Sequence, residues 1–234
     1  MNDLTAAFGL ALEMLIRLDP DLVEIVGLSL RVSLSAVGLA ALIGLPLGAA
    51  VALFRFPGRL AVNALLTAFM GLPPVVVGLV VYLLLSRAGP LGVLGLLFTP
   101  AAMIIAQCLL ITPIIAALSA QTVADLHEEY DEQLRSLAAG PWQTLLTLLW
   151  DGRFRLLTAL LAGFGRAVAE VGAVMIVGGN INHATRVMTT AIALETSKGY
   201  LALALGLGII LIALALGVNL AAMAVRDVAR RRYG

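Results

Sequence analysis

Arg166 and Glu170 are opposite charges four residues apart inside an otherwise apolar stretch, and no other pair in the chain has as much chemical leverage. That spacing puts them on one helical face, where they can form an ion pair. Either charge alone at a bilayer centre costs about 2.5–3.5 kcal/mol on insertion scales, so both are expected to face protein or a water-lined cavity. Arg166 is also near enough to a helix end to snorkel. The pair can gate a path or fix helix register, and the spacing suits both. Leu72-Pro73-Pro74 is a second feature of this kind. Two adjacent prolines remove backbone donors and kink a helix, which is tolerated inside a membrane where protein or a water-lined path satisfies the freed carbonyls.

Other reactive chemistry is sparse. Cys108 is the lone cysteine, and His127 and His183 are the only histidines, so neither a disulfide framework nor a closed Cys/His metal site is expected in one chain. Cys108 reads as a small apolar residue. No His, Cys or Asp cluster at ligand or triad spacing lies in the apolar blocks, which argues against a membrane enzyme. Lys198 is the only lysine and no Gly-x4-Gly-Lys-Ser/Thr run precedes a helix. No catalytic residue, resident metal or cofactor is therefore expected on this chain, and ATP hydrolysis through a phosphate loop is excluded.

The elements that position these residues must be membrane helices. Hydrophobic residues make up 61% and charged residues 12% of the 234 residues, against roughly 45–50% and 25% in soluble domains. The mean hydropathy is +1.04. The net charge of +1 leaves no clustered basic surface for nucleic acid. Five apolar blocks, about Val23–Phe54, Leu60–Leu85, Leu91–Leu118, Leu156–Val177 and Leu201–Val225, are each long enough for one tilted span. The start of the chain is acidic rather than basic and shows no cleavage pattern, so no cleaved signal peptide is expected. Residues 1–21, closed by Asp19-Pro20-Asp21, read as a short interfacial helix better than as a sixth span. Residues 22–230 form the expected transmembrane domain, and 231–234 a basic tail.

Arginines set the expected orientation, because cytoplasmic loops near span ends are enriched in them. With the N-terminus outside, Arg55 and Arg59 fall in the first inner loop, Arg135, Arg153 and Arg155 in the second, and Arg226 and Arg230–Arg232 in the tail. The C-terminus is then cytoplasmic. The second inner loop, residues 121–155, is the longest polar interruption. It reads as a helix over Leu126–Ala138, a Gly140-Pro141 break, and a second helix from Trp142. A rigid helix of this kind, lying across the membrane face, suits the docking of a separate energy-supplying subunit. Gly44 with Gly48, and Gly206 with Gly208, are expected to allow close helix contact.

Within that loop, YDEQLRSLAAGPWQT resembles the cytoplasmic signature of binding-protein-dependent ABC importer permeases, Glu-Ala-Ala, three residues, Gly. Glu132 takes the place of the motif Glu, Gln133 and Leu134 replace the two alanines, and Ala138 stands where Gly is usual. The Leu-Pro that usually follows is Trp150-Asp151 here. Gly71-Leu72-Pro73-Pro74-Val75-Val76-Val77-Gly78 is similar to the Leu-Pro-Pro-x-x-x-Gly of oxyanion-type permeases, and Phe164–Ile181 to a segment of molybdate, tungstate and sulfate permeases. Gly178–Ile181 with Thr185–Ile192 resembles their outer loop and re-entering segment.

The resemblance, closest to tungstate permeases, implies an all-α, MetI-like permease fold in a bacterial or archaeal cytoplasmic membrane. It implies a homodimer working by alternating access, with two ATPase subunits on the cytoplasmic side that hold ATP and magnesium. An extracytoplasmic solute-binding protein would deliver tungstate, molybdate or sulfate. It further implies ATPase coupling through Tyr130, Asp131, Glu132, Arg135, Ala138 and Trp142. Leu72, Pro73, Pro74, Arg166 and Glu170 would belong to the gate or pathway, and Asn180 and Arg186 would contact the binding protein. The alternatives are an ion-coupled secondary transporter, for which no internal repeat is visible, or a permease for another small solute such as an amino acid.

Overall fold

The computed structural model of the protein describes residues 2–233. Gly234, and the side chains of Arg226 and Arg230–Arg232 in the expected basic tail, lie outside the described residues. Ten α-helices follow one another, with a single 3-10 turn at Gly92–Leu94 and no strand among the described residues. They are α1 Asn2–Arg17, α2 Pro20–Leu53, α3 Arg59–Met70, α4 Pro74–Leu85, α5 Pro100–Ser136, α6 Pro141–Asp151, α7 Arg153–Val168, α8 Gly172–Gly178, α9 Met188–Lys198 and α10 Leu201–Tyr233.

By length and composition α2, α5 and α10 can each cross a membrane, and the broken pairs α3/α4 and α7/α8 raise the count to five if each pair is one span. These are the five apolar blocks of the sequence, with two differences. The third block was expected to be helical from Leu91, but α5 begins at Pro100. Gly89, Pro90, Gly92 and Gly95 hold the preceding stretch in turns. The stretch expected as a separate helix over Leu126–Ala138 is instead the last turns of α5, which runs unbroken to Ser136. Strong helix formers fill that stretch, and the buried Val123 and Leu126 extend the packed face past the membrane block.

Local chemistry explains the main breaks. After α1, Leu18 takes a left-handed φ of 51°, and the Asp19 carboxylate then accepts the backbone N–H of Asp21 and Leu22, at 3.1 and 3.3 Å, capping α2. Pro20 and Pro74 occupy first helical positions, where no backbone donor is lost. The prolines at 73 and 74 therefore produce a full break between α3 and α4 instead of a kink within one helix.

Contacts group the chain into two units. One comprises Met1–Ala36, Pro73–Gln107 and Gly165–Gly217, the other Val37–Leu72, Cys108–Phe164 and Val218–Gly234. In the first, α4 and α8 pack backbone to backbone, and a Cβ at Gly78 would lie 2.7 Å from Cα of Ala173. Gly206 sits against Leu22 and Ala11, whereas Gly208, expected to act with it, faces open space. In the second, Gly44 and Gly48 admit α5 so closely that a Cβ at Gly48 would overlap the Ala116 carbonyl oxygen. Ser119 donates to the Leu45 carbonyl at 2.9 Å across the same contact. The core of this unit joins Ala49 and Ala52 of α2, Val123 and Leu126 of α5, and Leu145 and Leu148 of α6.

Candidate functional site

In the first unit the break between α7 and α8 gathers a polar cluster. Helix α7 stops at Val168, so Glu170 lies beyond its end, and the pair with Arg166 is kept at 3.7 Å. The Glu170 side chain is 3% exposed and that of Arg166 43%. The other Glu170 oxygen accepts the backbone N–H of Ala173 at 3.1 Å, which caps α8 with negative charge. Thr189 of α9 donates to the Glu170 carbonyl at 2.7 Å, and Gln107 of α5 donates to the Ala167 carbonyl at 3.0 Å. Ser29 of α2 accepts from the Met188 N–H at 2.8 Å. A cavity of about 10 Å3 lies between Ser29, Ser33, Gln107, Glu170 and Thr189, close to the roughly 10–15 Å3 that one water requires. The buried Gln107 Oε1 has no hydrogen-bond partner.

The structure brings the second proline feature to this cluster. Pro74 opens α4, and a Cβ on Gly172 would meet the Val75 side chain at 2.8 Å. Pro73, Pro74 and Glu170 thus belong to one packed pair of helix starts, α4 and α8, within the first unit. Leu72 is the last residue of the other unit's segment.

The loop between α8 and α9 carries Asn180 and Arg186. Asn180 takes φ 50° and donates to the Thr190 carbonyl at 3.3 Å. Arg186 is 17% exposed at its side chain and lies 3.6 Å from Glu195, which also meets Lys198 at 3.2 Å. Thr185 holds the loop by donating to the Gly178 carbonyl and accepting from the Ile181 N–H. His183 lies 2.8 Å from Glu24 at the start of α2. The hydrogen bond to Glu24, then its charge, raise the His183 pKa above the usual 6.5. Asp21, Glu24 and His183 present ligand atoms within 4.8 Å of one another. Arg186 lines a small cavity together with these three residues, which brings a positive charge near the cluster.

In the second unit α5 ends in a turn built for reversal. Ala138 takes φ 50°, the left-handed conformation that glycine adopts without strain. The glycine geometry is therefore kept with an alanine in it. Ala139 N–H bonds to the Leu134 carbonyl at 3.0 Å, and Gly140 N–H to Gln143 Oε1 at 2.9 Å, before α6 starts at Pro141. Asp131 and Arg135 pair at 2.8 Å, Tyr130 packs on the core, and Glu132 is exposed. Trp142 is 68% exposed, with its ring edge on Phe54 at 5.9 Å between centroids.

Two groupings of residues were not evident from the sequence, although Arg59 and Arg153 stand out in it as inner-loop arginines. Leu146 and Trp150 continue the exposed face of Trp142 along α6, and Arg153 stacks over Trp150 at 4.9 Å. Arg59, Asn63, Thr67 and Gln121 line a cleft in the second unit. In both cases the signal was available as a spacing of i, i+4, i+8.

The chain thus combines two broken pairs of apolar helices with an exposed helix–turn–helix. Residues 44–234 match the family described as binding-protein-dependent transport system inner membrane component. The chain belongs to that family, the permease subunits of ABC importers. It is 45% identical over 185 residues to a probable anion ABC transporter permease protein of Haloferax volcanii, covering 76% of this chain and 79% of the relative. It is 39% identical over 205 residues to the tungstate uptake system permease protein TupB of Peptoclostridium acidaminophilum, covering 88% and 90%. The molybdenum transport system permease protein ModB of Azotobacter vinelandii is 30% identical over 176 residues, covering 70% and 78%.

Proposed function

We propose that this chain is the membrane permease of an ATP-driven, binding-protein-dependent oxyanion importer, with tungstate the first substrate and molybdate or sulfate next. The observation that carries this reading is the similarity to a tungstate uptake permease over 88% of the chain. The exposed reversal at Ala138 and the exposed Glu132 supply a docking surface for an ATPase, and the chain's lack of a phosphate loop makes such a partner necessary. ATP and magnesium then reside on that partner.

In this reading two copies of the chain pair, each engaging one ATPase subunit through Tyr130, Asp131, Glu132, Arg135, Ala138 and Trp142. Closure of the ATPases moves the turn, and the broken spans switch access from one side to the other. Leu72, Pro73, Pro74, Arg166 and Glu170 form the gate or path, because a helix break is where a small rotation changes the backbone course most. The N-terminus is outside and the C-terminus cytoplasmic. Asn180 and Arg186 then lie on the outer loop that receives the binding protein. Arg186, paired with Glu195, acts there by holding the loop's shape as much as by touching the partner.

The test is uptake by the complete complex in proteoliposomes, with calorimetry of the cognate binding protein against tungstate, molybdate and sulfate. ATP-dependent tungstate uptake that needs the binding protein is expected. Uptake driven by an ion gradient without any ATPase would replace this reading with the secondary transporter.

A further inference from the structure

A polar cleft of about 370 Å3 lies between α3, the end of α2 and the middle of α5, all within the second unit. Small-molecule sites occupy roughly 300–1,000 Å3. Its polar lining is Arg59, Asn63 and Thr67 from α3 with Gln121 from α5. The three α3 residues recur every fourth position, so they form one stripe about 12 Å long. Around them α3 is apolar, with Leu60, Ala61, Val62, Ala64, Leu65 and Leu66, and it is half of a candidate span. Polar side chains on a span are costly unless they face protein or water. Here they face the cleft, and Ala52, Ala117, Ala120 and Ala124 keep its floor small.

The chemistry of this lining is one-sided. No carboxylate lines the cleft. Arg59 donates from Nη2 to the Ala52 carbonyl at 2.7 Å, which anchors the guanidinium by one of its five N–H groups and leaves others for a ligand. Asn63 and Gln121 each carry an amide NH2. Thr67 donates to the Asn63 carbonyl at 2.9 Å, so its proton is already committed. One anchored positive charge, two neutral amide donors and no opposing acid match a tetrahedral oxyanion and disfavour a cation.

We propose that this cleft is a transient oxyanion site on the transport route, with Arg59 supplying charge and Asn63 and Gln121 the neutral donors. The inference rests on the oxyanion reading and goes beyond it by placing the anion on named residues. A single charge keeps the affinity low, as passage requires binding that is favourable enough to enter and weak enough to leave. The phosphate of an anionic lipid headgroup shares this chemistry, and the experiment separates the two sources.

The full chain carrying Cys108→Ala and Ala124→Cys, a lining position that donates nothing to the anion, is placed in phosphatidylcholine nanodiscs and labelled with a charged methanethiosulfonate reagent, with and without tungstate at constant ionic strength. Protection scales as one plus the ratio of tungstate to the dissociation constant, so a site of roughly millimolar affinity is expected to slow labelling about fivefold at about 4 mM tungstate. Arg59→Gln is expected to abolish the protection and Arg59→Lys to retain most of it, with Ala117→Cys as a second reporter should the first variant fold poorly. No protection, or equal slowing by chloride, overturns the proposal. Protection by phosphatidylglycerol in the nanodisc but not by tungstate also overturns it and makes the cleft a lipid groove. Uptake by the wild-type complex is measured alongside. Tungstate import with an unprotected cleft removes the cleft site alone, whereas protection without import keeps the cleft as an oxyanion site but overturns both its place on a transport route and the importer reading.

Discussion

The break around Glu170 and the turn around Ala138 both interrupt a helix, yet they treat their polar groups in opposite ways. At Glu170 the carboxylate is buried, paired with Arg166 and bonded to the Ala173 N–H, and its backbone carbonyl is held by Thr189. At Ala138 the polar and aromatic groups face outward, with Glu132, Arg135 and Trp142 all exposed. A buried charge must find its partners within the chain, because an unpaired one is costly. An exposed charge beside an exposed tryptophan has no such need and is free to meet another molecule. The first region thus satisfies its polar groups within the chain, and the second leaves them exposed.

Glu170→Ala offers the largest expected effect on this contrast. It removes a charge-assisted bond to a buried N–H and leaves Arg166 without its partner, at an expected cost of about 1.5–3 kcal/mol. Thermal melting of the purified protein in detergent should fall by several degrees, with Glu170→Gln recovering part of the loss through its retained acceptor. An unchanged melting temperature would mean that the cluster is not what holds the break together.

Glu132→Lys probes the other side of the comparison. It should leave membrane insertion and melting unchanged while lowering ATPase co-purification by about tenfold or more, equivalent to roughly 1.4 kcal/mol. Equal capture of the ATPase in a pull-down would remove the docking role of this surface.

Ala138→Gly should sharpen it in the opposite direction. A left-handed alanine costs about 1–2 kcal/mol, and the freedom glycine loses on folding returns part of that, so a net stabilisation of about 0.5–1 kcal/mol is expected. Denaturant or thermal unfolding would register it. A loss of stability would mean that neighbours hold the turn for a reason other than backbone strain.

The smallest effect concerns the loop tie between His183 and Glu24. The His183 pKa is raised by that carboxylate, so the tie is fully present below the usual value of 6.5 and fades as pH rises through the raised one. Hydrogen exchange of residues 180–187, corrected for intrinsic rates, should quicken over that rise. His183→Gln should remove the pH dependence, and a pH dependence that persists in that variant would dissociate it from this pair.

Much of this protein was legible in one dimension because a bilayer imposes a simple rule on a sequence. Apolar runs of spanning length mark the helices, and Pro73-Pro74 and Gly140-Pro141 mark the breaks, since a missing backbone donor acts locally. That Arg166 and Glu170 could pair was legible for the same reason, as a spacing of four needs no distant partner, and the structure decided that they do, at 3.7 Å. The start of α5 was harder to read because Leu91, Leu94, Leu96 and Leu97 are apolar whether helical or turned, and the glycines between them decided the matter. The merger of Leu126–Ser136 with α5 was equally hidden, since its polar surface matched a loop helix while its buried face belonged to a core that includes α6.

The amino-acid order by itself determined that the chain is a membrane protein of five apolar blocks, with its sharpest breaks at Pro73-Pro74 and Gly140-Pro141, a charge pair at helical spacing and no phosphate loop of its own. Each of these depends on composition or on neighbours within a turn or two. Only the tertiary structure decided that the start of α8 lies against Val75, that Ala138 carries a glycine's backbone, and that Arg59, Asn63 and Gln121 share one cleft. The turn at Ala138 is closed by neighbours such as Leu134 and Gln143, whereas the other two depend on contacts between residues dozens of positions apart, which close packing brings together and no local pattern encodes.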